Sequence, residues 1–116
     1  MTNPAQPTGA VPNVLKSQLL NEDPDLVDVV EEFIEGLDDR IAEMRAAFKA
    51  ADSVSLATLA HRLRGAGGSY GYPELTSAGA EAERQWKQAD LTNAEQWIGR
   101  IEELAQAARR GLPDAN

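Results

Sequence analysis

The chain has 116 residues, no cysteine, 11 basic and 19 acidic side chains, and a formal net charge of −8. That length suits one domain that buries a modest core without staples, and the missing thiols exclude a disulfide framework, thiolate metal sites and a thiol nucleophile. The acidic balance argues against nucleic acid and against an anionic membrane, both of which reward a basic surface.

Residues 1–13 hold Pro4, Pro7, Gly9 and Pro12 among small and polar side chains, and a mobile tail is expected. They carry no basic stretch and no long apolar stretch, so no secretory signal is read there. No apolar run nears the roughly 20 residues of a membrane span, and a cytoplasmic location is expected. Val14 to Leu20 can form a short helix that packs Leu15 and Leu19. Asp23-Pro24 reads as a helix start, because the Asp carboxylate accepts from first-turn amides and Pro suits the first position. Leu26, Val30, Phe33, Leu37, Ile41, Met44 and Phe48 then alternate at spacings of three and four, so a core-facing helix is expected over about 24–51.

Asp52-Ser53 is the next turn and caps a helix running to about Tyr70. Its stripe is Leu56, Leu59, Ala60, Leu63, Ala66, Gly67 and Tyr70. Gly71 can take a left-handed cap and Pro73 opens the following helix. That helix carries Leu75, Ala78, Gly79, Ala82, Trp86 and Ala89 on one side. The small residues in this stripe predict a close approach by its neighbour. Thr92 to Glu95 reads as a capping box, and Trp97, Ile101, Leu104 and Ala108 form the last stripe. Gly111 and Pro113 stop the chain, leaving 112–116 as a tail. Trp86 and Trp97 are expected in or at the edge of the core. Tyr70 is placed inside and Tyr72 at the turn. Four long amphipathic helices with short turns predict an all-α, antiparallel up-and-down four-helix bundle over 14–111, with a short extra N-terminal helix.

His61, the only histidine, lies opposite the centre of its helix's apolar stripe at about 100° per residue. Gly65 and Gly68 fall on the same outward face, and Arg62 and Arg64 flank it. A glycine inside a helix costs about 1 kcal/mol relative to alanine, so two of them beside an outward imidazole read as a cleared approach to the ring. A neutral imidazole nitrogen is a nucleophile. An outward ring has no pocket for a small substrate, but another protein's active site can reach it. Arg64 can offer positive charge to an anionic group carried there. These features suit a phosphoryl group on His61, exchanged with a docked partner.

Ala60-His61-Arg62-Leu63-Arg64-Gly65-Ala66-Gly67-Gly68-Ser69-Tyr70-Gly71 resembles the signature of histidine-containing phosphotransfer (HPt) domains. The pattern is His, any residue, Leu, Lys or Arg, Gly, two small residues and Gly, with a further Gly ten residues after the His. The match continues through Leu75, Gly79 and Glu83. Upstream, Asp23-Pro24-Asp25-Leu26 and Phe33-Ile34 resemble the family's preceding helix, so the likeness spans about residues 14–108. The resemblance implies a four-helix bundle whose exposed histidine, here His61, is phosphorylated on a ring nitrogen. It implies exchange of that group with an aspartate of a response-regulator receiver domain, downstream of a hybrid histidine kinase. Arg64 maps onto the basic residue beside the phosphate and Gly65 onto the small residue that admits the receiver. Arg64 stands where Lys is more usual, which keeps the charge and changes its shape. Ala82 stands where the family often has Leu, which thins the core.

The other candidates read as ordinary structure. Nine acidic residues and no basic one lie between Glu22 and Asp39. They form a solvated helix face whose first carboxylates suit the helix dipole, and they lack the calcium-loop pattern. With one His and no Cys, no metal site is expected. Ser69 is too far along the helix to meet His61 directly, so no Ser-His-Asp arrangement forms. Gly65 to Gly68 has no preceding strand and no Gly-Lys-Ser/Thr ending, so nucleotide binding is rejected.

The expectation is therefore a phosphocarrier in a two-component phosphorelay, not an enzyme in its own right and without a cofactor. His61 is the phosphorylated residue, Arg64 and Arg62 stabilise the phosphate, and Gly65 and Gly68 give the partner access. A carrier that docks one receiver at a time needs no second copy, so a monomer is expected. Two alternatives stay open. One is a helical adaptor that uses the same face without phosphorylation. The other is a hydrolase with His61 as general base, which would need a concave pocket and a carboxylate at the ring.

Overall fold

A computed structural model of the chain describes residues 5–113. Among them there are helices and no strand: α1 (Gln18–Glu22), a 3-10 turn (Pro24–Leu26), α2 (Val27–Lys49), α3 (Ser53–Ser69), α4 (Pro73–Lys87) and α5 (Ala94–Arg110). Helix α2 packs on α3 and α5, α4 packs on α3 and α5, and α3 and α4 share the most extensive seam. The core between them is aliphatic and alanine-rich, with Ile34, Leu37, Met44, Leu56, Leu63, Leu75, Ile98 and Ile101 essentially sealed from solvent.

Local chemistry sets the helix ends. Asp23 accepts from the Asp25 amide at 3.2 Å, and Pro24 opens a single 3-10 turn, so α2 itself starts at Val27. Asp52 caps α3 by accepting from both the amide and the hydroxyl of Ser55, at 3.0 and 2.6 Å. Gly71 adopts φ +86 after α3. The left-handed turn it makes lets Tyr72 donate back to the Gly67 carbonyl at 2.8 Å, as expected of a glycine cap. That turn swings Tyr72 inward, where it is 1% exposed and burial pushes its hydroxyl up to about 12. Tyr70 is the half-buried one, stacked on Phe33 with centroids 4.4 Å apart. The two tyrosines thus exchange the places expected for them, because Gly71 reverses the chain between them.

Three other expectations change. Helix α4 ends at Lys87, and Ala89 is exposed with φ +57, outside the stripe assigned to it. The Thr92–Glu95 capping box does not form. Asp90 takes the Thr92 amide at 3.1 Å, and α5 starts one residue after Asn93. Helix α1 begins at Gln18, not Val14, because Ser17 caps it by accepting from the Leu20 amide at 3.2 Å. Leu15 is still buried, held by its amide's bond to the Ala107 carbonyl.

The segment expected to be a mobile tail lies against α4 and α5 from Ala5 onward. The Ala5 carbonyl accepts from Gln85 Nε2 and Trp97 Nε1, both at 2.7 Å, and Arg100 donates to the carbonyls of Thr8 and Gly9. Extended backbone has carbonyls that its own sequence leaves without donors. Here two buried side chains and an arginine of the helices supply them. Residues 1–4 and 114–116 of the two expected tails fall outside the described region. Leu112, assigned to the C-terminal tail, packs partly buried against the core.

Candidate functional site

The site lies on the seam between α3 and α4, and glycines set its register. A Cβ on Gly67 would lie 3.0 Å from both Leu75 Cβ and the Thr76 amide nitrogen. A Cβ on Gly79 would lie 3.0 Å from the Arg64 nitrogen and 3.1 Å from the Ala60 carbonyl oxygen. The two backbones therefore approach closely, as the small-residue stripe of α4 predicted. The helices run in opposite directions along this seam, so the residue four places beyond Gly79 arrives beside His61. That residue is Glu83.

Glu83 is 2% exposed, and it is covered by the side chains that it binds. Its Oε2 meets His61 Nδ1 at 2.8 Å and the Lys87 ammonium at 3.1 Å, while its Oε1 accepts from Arg64 Nη1 at 2.9 Å. Burial alone would raise this carboxyl. Hydrogen bonds from Lys87 and His61, helped by the charge of Lys87, outweigh that effect and hold it below its ordinary value. It is therefore a carboxylate at neutral pH.

A carboxylate can only accept, so the proton between it and His61 sits on Nδ1. In the neutral ring the lone pair is then on Nε2. The His61 side chain is 64% exposed, so that lone pair belongs to a ring reachable from solvent. The outward glycines also stand where they were expected. Gly65 and Gly68 are exposed, and a Cβ on Gly65 would meet nothing within 4 Å. On the other side of His61 an open cleft of about 450 Å³ is lined by Ser53, Val54, Ala57, Thr58, Trp86 and Lys87.

Of the two flanking arginines, the structure brings only Arg64 to the cluster. Arg62 points into a separate cleft between α2 and α3 with Glu43 and Asp52, and it forms no ion pair among the described residues. Two members of the cluster had no assigned role in the sequence reading. Glu83 belongs to the quoted motif, yet its sequence signal is a carboxylate at a position flanked by Gly79, Ala82 and Trp86 on a buried stripe. Lys87 follows it four residues later, a pairing that helices favour.

The chain matches the family model of the Hpt domain over residues 28–111. It belongs to the Hpt domain family. No curated protein and no solved structure matches it. Hpt domains carry phosphoryl groups in two-component phosphorelays and interact with receiver and kinase-type partners. Among the described residues, no helix is long and apolar enough to cross a membrane.

Proposed function

We propose that His61 of this Hpt domain accepts a phosphoryl group on Nε2 from a receiver-domain aspartate and passes it to another receiver. The observation that carries this reading is the 2.8 Å contact from Nδ1 to buried Glu83, on a ring 64% exposed. In the transfer, the Nε2 lone pair attacks phosphorus in line. The P–O bond to the partner's aspartate breaks, and that carboxylate leaves with the electron pair. Nδ1 keeps its proton, so the ring becomes cationic, and Glu83 is already placed to neutralise it. Reverse transfer runs through the same arrangement. The chain contributes position and charge, which is most of what phosphoryl transfer asks of a protein.

Arg64 stands beside the ring to pair with the phosphoryl oxygens, whereas Arg62 is turned toward α2 and is not needed for that role. Gly65 and Gly68 let the receiver's backbone close on His61. The working unit is residues 14–111 as an up-and-down four-helix bundle, a cytoplasmic monomer that serves hybrid kinase and receiver in turn and is a carrier rather than an enzyme. The test is transfer from a panel of phosphorylated receiver domains. The expected result is label on the native chain and none on His61→Gln. Label retained by His61→Gln, or a native chain that no receiver labels, would overturn the reading.

A His–Glu pair beside a cleft also has the form of a general base, and this geometry keeps that second reading in play. Against it, the cleft is open and the Thr58 hydroxyl on its wall already donates to the Val54 carbonyl at 3.1 Å. Steady turnover of a model ester, lost in His61→Gln, would favour the hydrolase.

A further inference from the structure

Two full cations and a histidine ring share one carboxylate at this site. Arg64 takes Oε1, while Lys87 takes the same Oε2 that holds Nδ1. Arginine and lysine together over-neutralise Glu83 by one unit, on a chain whose net charge is −8. The surplus stands beside the ring that would carry a dianion. Lys87 Nζ lies within about 6 Å of Nδ1 through the shared oxygen. Its side chain is 65% exposed and lines the open cleft beside the ring. It reaches Glu83 from α4, one turn on, whereas Arg64 comes from α3 on the other oxygen. The two cations thus flank the imidazole from different helices.

We propose that Lys87 is a second phosphate-binding cation of this site, stored on Glu83 while His61 is bare and drawn onto the phosphoryl oxygens once Nε2 carries the group. The proposal rests on His61 being the phosphorylated residue. It adds that the charge beside the phosphate comes from both helices of the seam. When the phosphoryl group arrives, the cationic ring takes over Glu83 Oε2. The lysine then gains more from the new dianion than from a carboxylate already neutralised by the ring and Arg64. Holding the dianion strengthens the N–P bond against water, because loss of phosphoryl through a loose transition state spreads the charge that Lys87 would pair with.

The test uses the full chain and phosphoramidate, a small donor that transfers phosphoryl to imidazole with release of ammonia. In this reaction the donor's P–N bond breaks and the new N–P bond forms at His61. The readout is the hydrolysis rate of the purified phosphohistidine at fixed pH, with thermal melting as the control for folding. Lys87→Ala is expected to shorten the half-life by about three- to ten-fold, the range for one partly exposed charge-assisted contact. Lys87→Arg should restore it, and the melting temperatures of both variants should stay near the native one. A native half-life in Lys87→Ala overturns the role of Lys87 and leaves the carrier reading intact. Failure of the native chain to take label from phosphoramidate or from any receiver overturns both.

Discussion

Two sets of glycines on one helix hairpin face opposite ways and do opposite work. Gly67, Gly71 and Gly79 have no room for a side chain, while Gly65 has nothing around it at all. Within the filled set, Gly67 and Gly79 bring α3 and α4 together in the register that delivers Glu83 to His61, while Gly71 turns the chain between them and is packed against Gln18 and Leu19. The empty set keeps the outer surface low beside the same ring. One residue type therefore builds the site from below and clears it from above. Only the surroundings distinguish the two, because a missing Cβ has the same local propensity cost in either place.

The contrast breaks most visibly at Gly71. Gly71→Ala forces a side chain into φ +86 and against the amide nitrogens of Gln18 and Leu19, so a loss of about 2–3 kcal/mol is expected in chemical denaturation. Gly67→Ala and Gly79→Ala should each cost less, about 1–2 kcal/mol, since overpacking is partly offset by better helix propensity. These two should also weaken the His61–Glu83 contact, visible as a changed imidazole proton shift by NMR. Glu83 itself makes stability depend on acid. Its carboxyl is held below the ordinary value of 4.5, so its contribution is complete above about pH 4.5 and lost as the pH falls through the depressed folded value. The difference in melting temperature between the native chain and Glu83→Gln should shrink as the pH is lowered from 6 toward 3. Gly65→Ala is the smallest effect and has the opposite sign. With nothing for the Cβ to meet, the fold should gain about 0.5–1 kcal/mol. Transfer from receivers should slow while labelling by phosphoramidate stays native. Equal behaviour of Gly65→Ala and Gly67→Ala would dissolve the comparison.

Much of this was legible in the sequence. Spacings of three and four gave the long helices, Asp52 and Gly71 gave two of their ends, and His61 with Gly65 and Gly68 stood on one outward face. The pairing of helices was only hinted at by the small residues of α4, and with it the identity of the residue opposite His61. Glu83 was legible only as part of the family match, and its purpose appears when α3 is laid beside α4. Lys87 could be paired with Glu83 by spacing, but nothing along the chain tied that pair to the imidazole. Sequence alone assigns both Arg64 and Arg62 to the phosphate, with Arg64 foremost. They separate because two residues along a helix turn a side chain by about 200°, toward α2 in one case and α4 in the other. The N-terminal segment misled for a related reason: its partners, Gln85, Trp97 and Arg100, lie more than 75 residues away.

The central claim is that Glu83 occupies Nδ1 and so leaves Nε2 of His61 to carry the phosphoryl group. Phosphorus NMR of the labelled chain, with nitrogen couplings to assign the ring position, tests it most directly. The account predicts a single phosphohistidine at His61 with phosphorus on Nε2. Phosphorus on Nδ1, or a label on any residue other than His61, would contradict it.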